Sequence, residues 1–421
     1  MSRRTTLLVV GALVLLLVAA PFVPRGSVDE PLLPSGDREY DAIGRAATAG
    51  PSQLTDEARA EIDRVVAAGT VQARTLARSS GRTSSAQQAA AAVRCAEFEG
   101  QRYCLGTGWT DVTEAEAQAR AARAARTVAA RPAAVERTGD LDAQAELVQR
   151  ARMSPAALAR VERAELTAAA RSVAKVWLLR HEIEGVPLPD GFLEDHPEAR
   201  ATAPAAAKAA TKASAATKAS AAPTKAPARS AADYPGRVQI LTGEQTAAQV
   251  RTYWCGPATM QMIAWGWQDK KKYQAHWARK LGTTTSGSAI TEMVRVVNQS
   301  TGWDRKKYAG PYIVLDIGSY SFDKWMLLMM RHIHDYRAPV VLHPILLKRY
   351  YPYLDDDASG HFQVGRGYAK RGKKPDQIGY FEPWNQQRFD PSEPYIARVQ
   401  WRNAYKSFRA NKAHFAHNIG V

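Results

Sequence analysis

Apolar positions follow three different rhythms along the chain. From Leu7 to Ala20 they are almost continuous. Between residues 51 and 190 they recur at helical spacing in Ala-, Arg- and Glu-rich sequence, and after Tyr234 helical repeats give way to short strand-like runs. In the second stretch, Ile62, Val65, Val66 and Val71 mark one face of a helix within 51–94. Pro51-Ser-Gln-Leu-Thr-Asp-Glu supplies its start, with acids in the first turn. Helices are expected again over 113–131 and 140–186, the latter restarting at Ser154-Pro155. In the third stretch, Arg237-Val-Gln-Ile-Leu reads as a short strand, and Cys255 to Trp267, Ser288 to Asn298 and Phe322 to Ile333 read as helices. Strand-like runs then follow at Pro339–His343, His361–Tyr368, Gln377–Glu382 and Tyr395–Val399. Helices first and an antiparallel sheet afterwards predict an α+β fold.

These rhythms divide the chain into an export segment or anchor (1–23), a polar tether (24–50), a small α-helical domain (51–196), a linker (197–233) and a C-terminal domain (234–421). The linker alternates Ala, Lys, Thr, Ser and Pro with no aromatic residue before Tyr234, so it cannot bury a core and is expected to be disordered. Its lysines are also sites for a trypsin-like cut. Release of the C-terminal domain from the helical one by such a cut is a hypothesis this layout raises.

Charge and cysteine usage place the chain outside the cytoplasm. Met-Ser-Arg-Arg-Thr-Thr precedes the apolar run, small residues stand at Val18-Ala19-Ala20, and no acid precedes Asp29. Pro21 hinders cleavage after Ala20, and counting on to Val23 gives about 17 apolar residues, the short end of a membrane span. Release and retention as an anchor therefore both stay open. Cys95 and Cys104 flank Gly100, which suits a reversal, and in an oxidising compartment they form a plausible local disulfide. Cys255 is then left over, and an odd cysteine in an exported protein is a candidate reactive thiol.

Residues 234–421 carry 27 Lys and Arg against 14 Asp and Glu, whereas residues 1–200 are near neutral, with 25 against 26. A basic C-terminal domain is drawn to polyanions. For an exported protein these are anionic wall polymers or a membrane surface, with nucleic acid not expected. The oligomeric state is not legible.

The chemistry is organised around Cys255. It opens an amphipathic helix, followed by Gly256 and Pro257, where unpaired N–H groups and the helix dipole favour a thiolate. A thiol nucleophile needs a base, a group that orients the base, and donors for an oxyanion. His361 follows a loop ending in Gly360 and opens a strand. The next strand ends at Glu382-Pro383-Trp384-Asn385, so either Glu382 or Asn385 can lie beside the histidine. Gln249, six residues before the cysteine, can offer its amide N–H to the oxyanion together with the Cys255 N–H. Other histidines are less promising. His332 and His334 are two apart and do not share a helix face; His343 reads as structural, and His414 and His417 as surface residues. Asp355-Asp356-Asp357 reads as a solvated loop. No cofactor or metal is expected.

Gln249-x5-Cys255-Gly-Pro-Ala, then Gly360-His361-Phe-Gln-Val-x-x-Gly367-Tyr368, then Tyr380-Phe-Glu382-Pro383 resembles the C39-like peptidase family, from about residue 235 to the end. The resemblance implies a papain-like fold, with Cys255 as nucleophile, His361 as base and then acid, Gln249 as oxyanion donor, and a peptide or protein substrate. One departure stands out: the family usually has Asp before the proline, where this chain has Glu382. That departure is what favours the alternative, a catalytically inactive wall-associated binding or scaffold protein on a hydrolase frame. The family's best-known members cut leader peptides inside exporters, and no transporter segment stands in this sequence.

Overall fold

The computed structural model describes residues 54–78, 84–129, 136–197, 199, 230–267, 269, 271–304 and 310–421. The expected export segment, the tether and nearly all of the linker lie outside them. Among the described residues no helix is long and apolar enough to cross a membrane.

The first part of the chain forms α1 (Asp56–Arg78), α2 (Ser85–Ala92), three short strands β1 (Cys95–Phe98), β2 (Gln101–Cys104) and β3 (Gly108–Thr110), and helices α3 (Glu114–Ala129), α4 (Ala143–Ala151), α5 (Pro155–Ala170), α6 (Val173–Glu184) and α7 (Phe192–Asp195). Local chemistry explains the boundaries. Ser84 and Gln87 form a capping box on α2, and Ser154 caps α5 with Pro155 in its first turn. Glu99 and Gly100 both have positive φ, the requirement of a tight two-residue hairpin turn, and the Cys95–Cys104 disulfide closes the same hairpin.

After the linker come β4 (Arg237–Gln239), α8 (Cys255–Gly266), α9 (Gln274–Lys280), α10 (Ile290–Ser300), β5 (Val314–Asp316), α11 (Phe322–Met330), β6 (Val340–Leu342), β7 (Gln363–Ala369), β8 (Gln377–Phe381), β9 (Val399–Asn403), α12 (Ala404–Ala413) and β10 (Asn418–Gly420). Tyr395–Ile396, expected as strand, instead precede β9. There the Arg398 guanidinium folds back onto Ile396 O and the Glu382 carbonyl. His332 and His334 fall in a π-helical turn, Arg331–Asp335, that follows α11.

Among the described residues all ten strands join one mixed, mostly antiparallel sheet, so the fold is α+β. The order is β1-β2-β3-β5-β10-β6-β7-β8-β9, with β4 alongside β7. The parallel junction of β3 with β5 pairs Trp109 with Leu315. Gly108 permits it: a Cβ there would meet Val314 O at 2.4 Å.

Successive side chains of a strand point to opposite faces, and helices cover both. On one face Val341, Val364 and Phe381 pack with Cys255, Met260 and Ile263 of α8 and Met293 and Val297 of α10. On the other, Val340, Leu342, Ile378 and Tyr380 pack with Trp325 and Met329 of α11 and Phe408 of α12. Ile62, Trp109, Leu166 and Val176 belong to this same second core, so residues on both sides of the linker share it.

Buried polar contacts pin the two parts further. Lys175 Nζ donates to Pro311 O and Val421 O, each at 2.9 Å, and burial holds its pKa well below the usual value. Asp316 accepts from Arg120 at 2.9 Å and Thr110 at 2.7 Å. Glu182 of α6 pairs with Arg331, both almost fully buried. Removing one partner of such a pair strands the other charge. Glu182→Ala is therefore expected to lower stability by about 3–5 kcal/mol, read as a shift of the urea midpoint at unchanged slope. A shift below about 1 kcal/mol would mean that this pair does not hold the two parts together.

Candidate active site

Cys255 is the first residue of α8 and is completely buried. Trp254 makes no side-chain cap, so the first N–H groups of the helix stay available locally. One turn along, Thr259 Oγ1 donates to Phe362 O at 3.1 Å, which ties α8 to the residue after His361. The backbone N–H groups of Phe362 and Gly256 in turn hydrogen-bond toward the thiol. Cys255 and His361 thus sit at one junction of α8 and β7.

The expectation of a ready thiolate is overturned in this state. Burial pushes the Cys255 thiol well above its ordinary pKa, the Asp140 carboxylate adds to the shift, and the two N–H groups offset only part of it. A helix mouth lowers a thiol pKa only as far as desolvation allows, and here desolvation wins.

His361 is fully buried, and its Nε2 lies 2.7 Å from Glu382 Oε1. Nε2 carries the hydrogen, because the carboxylate only accepts. Nδ1 has no hydrogen-bond partner and is left with its lone pair free. Glu382, not Asn385, is the group on the imidazole: Asn385 opens the turn after Trp384, and its Oδ1 is buried without a partner.

The Glu382 carboxylate accepts four hydrogen bonds. Besides His361 these come from Trp384 N at 2.8 Å, Tyr353 OH at 2.7 Å and Gln363 Nε2 at 2.7 Å. Desolvation acts to raise its pKa, but the interaction with His361 and the other donors outweigh it and hold the carboxyl below the usual value. Tyr353 and Gln363 were not singled out in the sequence. Tyr353 sits in the loop before His361 and Gln363 is the second residue after it, a spacing that puts the Gln363 side chain on the histidine's face of the strand.

Gln249 is buried, with its backbone N–H on Pro383 O at 2.9 Å. Its side-chain Nε2 points at three carbonyls: Thr252 at 2.7 Å, Arg251 at 3.0 Å and Thr138 at 3.1 Å. Thr138 O also accepts from the Cys255 N–H at 3.3 Å. The two expected oxyanion donors therefore converge on one carbonyl oxygen, contributed by the chain's own residue 138.

Residues 232–412 match the Peptidase_C39 like family. No curated protein and no solved structure matches the chain. The family match supports a cysteine peptidase acting on a peptide or protein. The resemblance read from Gln249 through Pro383 and the family match cover the same C39-like region.

A buried cluster that the sequence did not disclose ties His343 of this region to Asp140 and His414, which flank the matched residues. Asp140 Oδ1 lies 2.8 Å from His343 Nε2, and Asp140 Oδ2 lies 2.7 Å from His414 Nε2. His414, expected at the surface, is buried: its acidic neighbour lies 274 residues away in sequence. His343 Nδ1 faces Asn418 Oδ1 at 2.8 Å, while Asn418 Nδ2 is committed to Thr107 O. Both ring nitrogens of His343 thus meet acceptors, the pattern an imidazolium satisfies. His414 Nδ1 instead accepts from the Ala416 N–H at 3.1 Å, a neutral ring, and burial together with the nearby His343 brings its pKa down to about 4.

Asp140, His343 and His414 offer ligand atoms within 4.8 Å of one another, which is close enough to bridge a metal ion. Ligands about 2.0–2.1 Å from a tetrahedral zinc stand roughly 3.3 Å apart. The contacts of 2.7–2.8 Å are direct hydrogen bonds, and the cluster is read as an ion pair with a second histidine.

A carboxyl whose folded pKa is depressed contributes stability above its unfolded value and loses it as the pH falls through the folded value. Glu382 starts from an ordinary value of 4.5. Wild type is expected to exceed Glu382→Gln by about 1.5–3 kcal/mol at pH 7. Denaturation at pH 7 and pH 3 should show that gap closing with acidification, and a gap of equal size at both would show that the Glu382 charge carries no stability.

Proposed function

We propose that this protein is an exported cysteine peptidase that hydrolyses peptide or amide bonds at the cell envelope. One observation carries the reading. His361 is held through Nε2 by Glu382, its Nδ1 is free, and its neighbour Phe362 directs an N–H at the Cys255 sulfur, in a region that matches a peptidase family.

In this reading His361 Nδ1 takes the proton of the Cys255 thiol, and the thiolate attacks the substrate carbonyl carbon. The Gln249 amide and the Cys255 N–H hold the developing oxyanion, the task for which two convergent N–H donors are suited. His361 passes its proton to the departing amine. A water molecule, deprotonated by His361, then opens the acyl-enzyme. Glu382 fixes the tautomer and stabilises the imidazolium, as an orienting carboxylate does in a triad.

Support for export comes from the apolar Leu7–Ala20 run and from the Cys95–Cys104 disulfide, a bond that persists in oxidising compartments. Arg371, Lys373 and Lys374, exposed on the turn between β7 and β8, suit an anionic wall polymer or membrane surface. The alternative of an inactive scaffold drew on the glutamate at position 382. That longer side chain nevertheless meets the imidazole at 2.7 Å.

Screening envelope peptides and proteins should find at least one cut by wild type and not by Cys255→Ala. On that substrate His361→Ala is expected to cost at least about a thousand-fold in kcat/KM, and Gln249→Ala about a hundred- to a thousand-fold in kcat. Cleavage that persists in Cys255→Ala overturns the reading.

A further inference from the structure

A short segment between α3 and α4 is bound across the cleft the way an extended peptide is bound. Ser359 N donates to Glu136 O at 2.9 Å, and Thr138 N donates to Ser359 Oγ at 3.0 Å. Thr138 Oγ1 donates to Gly360 O at 2.6 Å. Beyond the carbonyl that faces Gln249 and Cys255, Ser288 N donates to Gly139 O at 2.9 Å and Leu141 N donates to Ser288 O at 3.0 Å. Main-chain pairing on both walls of a cleft, with side chains taken by pockets, is how strand addition recognises peptides.

Two positions of this segment are sterically and chemically specified. Gly139 has φ +111°, and a Cβ there would meet the Tyr253 carbonyl carbon at 2.3 Å. Across the gap, a Cβ on Gly287 would meet Gly139 O at 2.0 Å. Asp140 enters the buried His343–His414 pair, and Gly360 makes room for it, since a Cβ on Gly360 would meet Asp140 Oδ2 at 2.2 Å. His343 and His414 are not used in the proposed reaction.

We infer that residues 136–141 are a built-in blocking peptide of the Cys255 cleft, and that His343 and His414 form a pocket for an acidic side chain. The peptides this cleft binds then carry glycine next to the carbonyl held by Gln249 and Cys255, and aspartate immediately after the glycine. This rests on the reading of Cys255 and Gln249 as nucleophile and oxyanion donor. While the segment is in place it fills the oxyanion site and seals the thiol, so the cleft opens when the segment lifts or an acidic peptide displaces it.

The test uses the full chain. Asp140→Asn removes the charge in the histidine pocket, and Gly139→Val forces the segment off the Tyr253 backbone. Both are expected to raise the rate of Cys255 alkylation by iodoacetamide at least about tenfold over wild type, with cooperative melting retained. The acetylated, amidated hexapeptide Glu-Arg-Thr-Gly-Asp-Leu should protect the Gly139→Val thiol, and the same peptide with Asn for Asp should need about tenfold more. In unaltered protein the amides of Thr138 and Leu141 should exchange with solvent no more slowly than Cys255 is alkylated, because one opening exposes all three. That last measurement decides the matter if neither variant folds.

Folded variants with unchanged alkylation, a peptide that gives no protection, or alkylation outrunning amide exchange each overturn the proposal. Unmasking of the thiol with no substrate found for any form would leave the blocking segment standing and remove the peptidase reading.

Discussion

Four hydrogen bonds onto one buried carboxylate are the constraint from which the site follows. An ionised carboxyl without such partners would cost several kcal/mol to bury. Glu382 escapes that cost only when its donors arrive together: the ring of His361 just before β7, the amide of Gln363 at the start of that strand, the hydroxyl of Tyr353 from the preceding loop, and the N–H of Trp384 from its own turn. Assembly of the sheet and orientation of the imidazole are therefore one event. The longer glutamate arm is accommodated by spreading its oxygens over these groups.

A second buried carboxylate, Asp140, couples the front of the chain to the same place. Its charge is compensated by His343, yet it also contributes to the rise in the Cys255 pKa, so the segment that covers the thiol also disfavours its ionisation. Covering and electrostatic suppression come from Thr138 and Asp140, two residues apart on one segment, and departure of the segment removes both effects at once.

Much of the site was legible because its parts are local signatures. A cysteine before Gly-Pro at a helix start, a histidine after a glycine-ended loop, and an acid before proline at the end of the next strand each have a short-range reason to be where they are. The choice between Glu382 and Asn385 was not legible, since it turns on which side chain a tight turn directs inward. Nor was the burial of His414, which depends on Asp140. β5, β10 and α12 escaped notice because strands of three residues leave almost no alternation to read, and because α12 is mostly polar. Glu136–Gly139 read as an ordinary interval between two helices, and Asp140–Leu141 as the start of the second, which instead begins at Ala143; the segment's partners lie more than a hundred residues onward, and no spacing in it announces them.

The junction of β3 with β5 bears on portability. The stretch that matches a known family is not a module that could be lifted out and grafted elsewhere. Without residues 95–110 the sheet would end at β5 as a raw, hydrophobic edge, the kind of edge that recruits foreign strands and aggregates. Without α6, Arg331 would lose Glu182, and the carbonyls of Pro311 and Val421 would lose Lys175. The matched stretch and the residues before the linker share one sheet and one core, and a sequence change in the three small strands is felt in both.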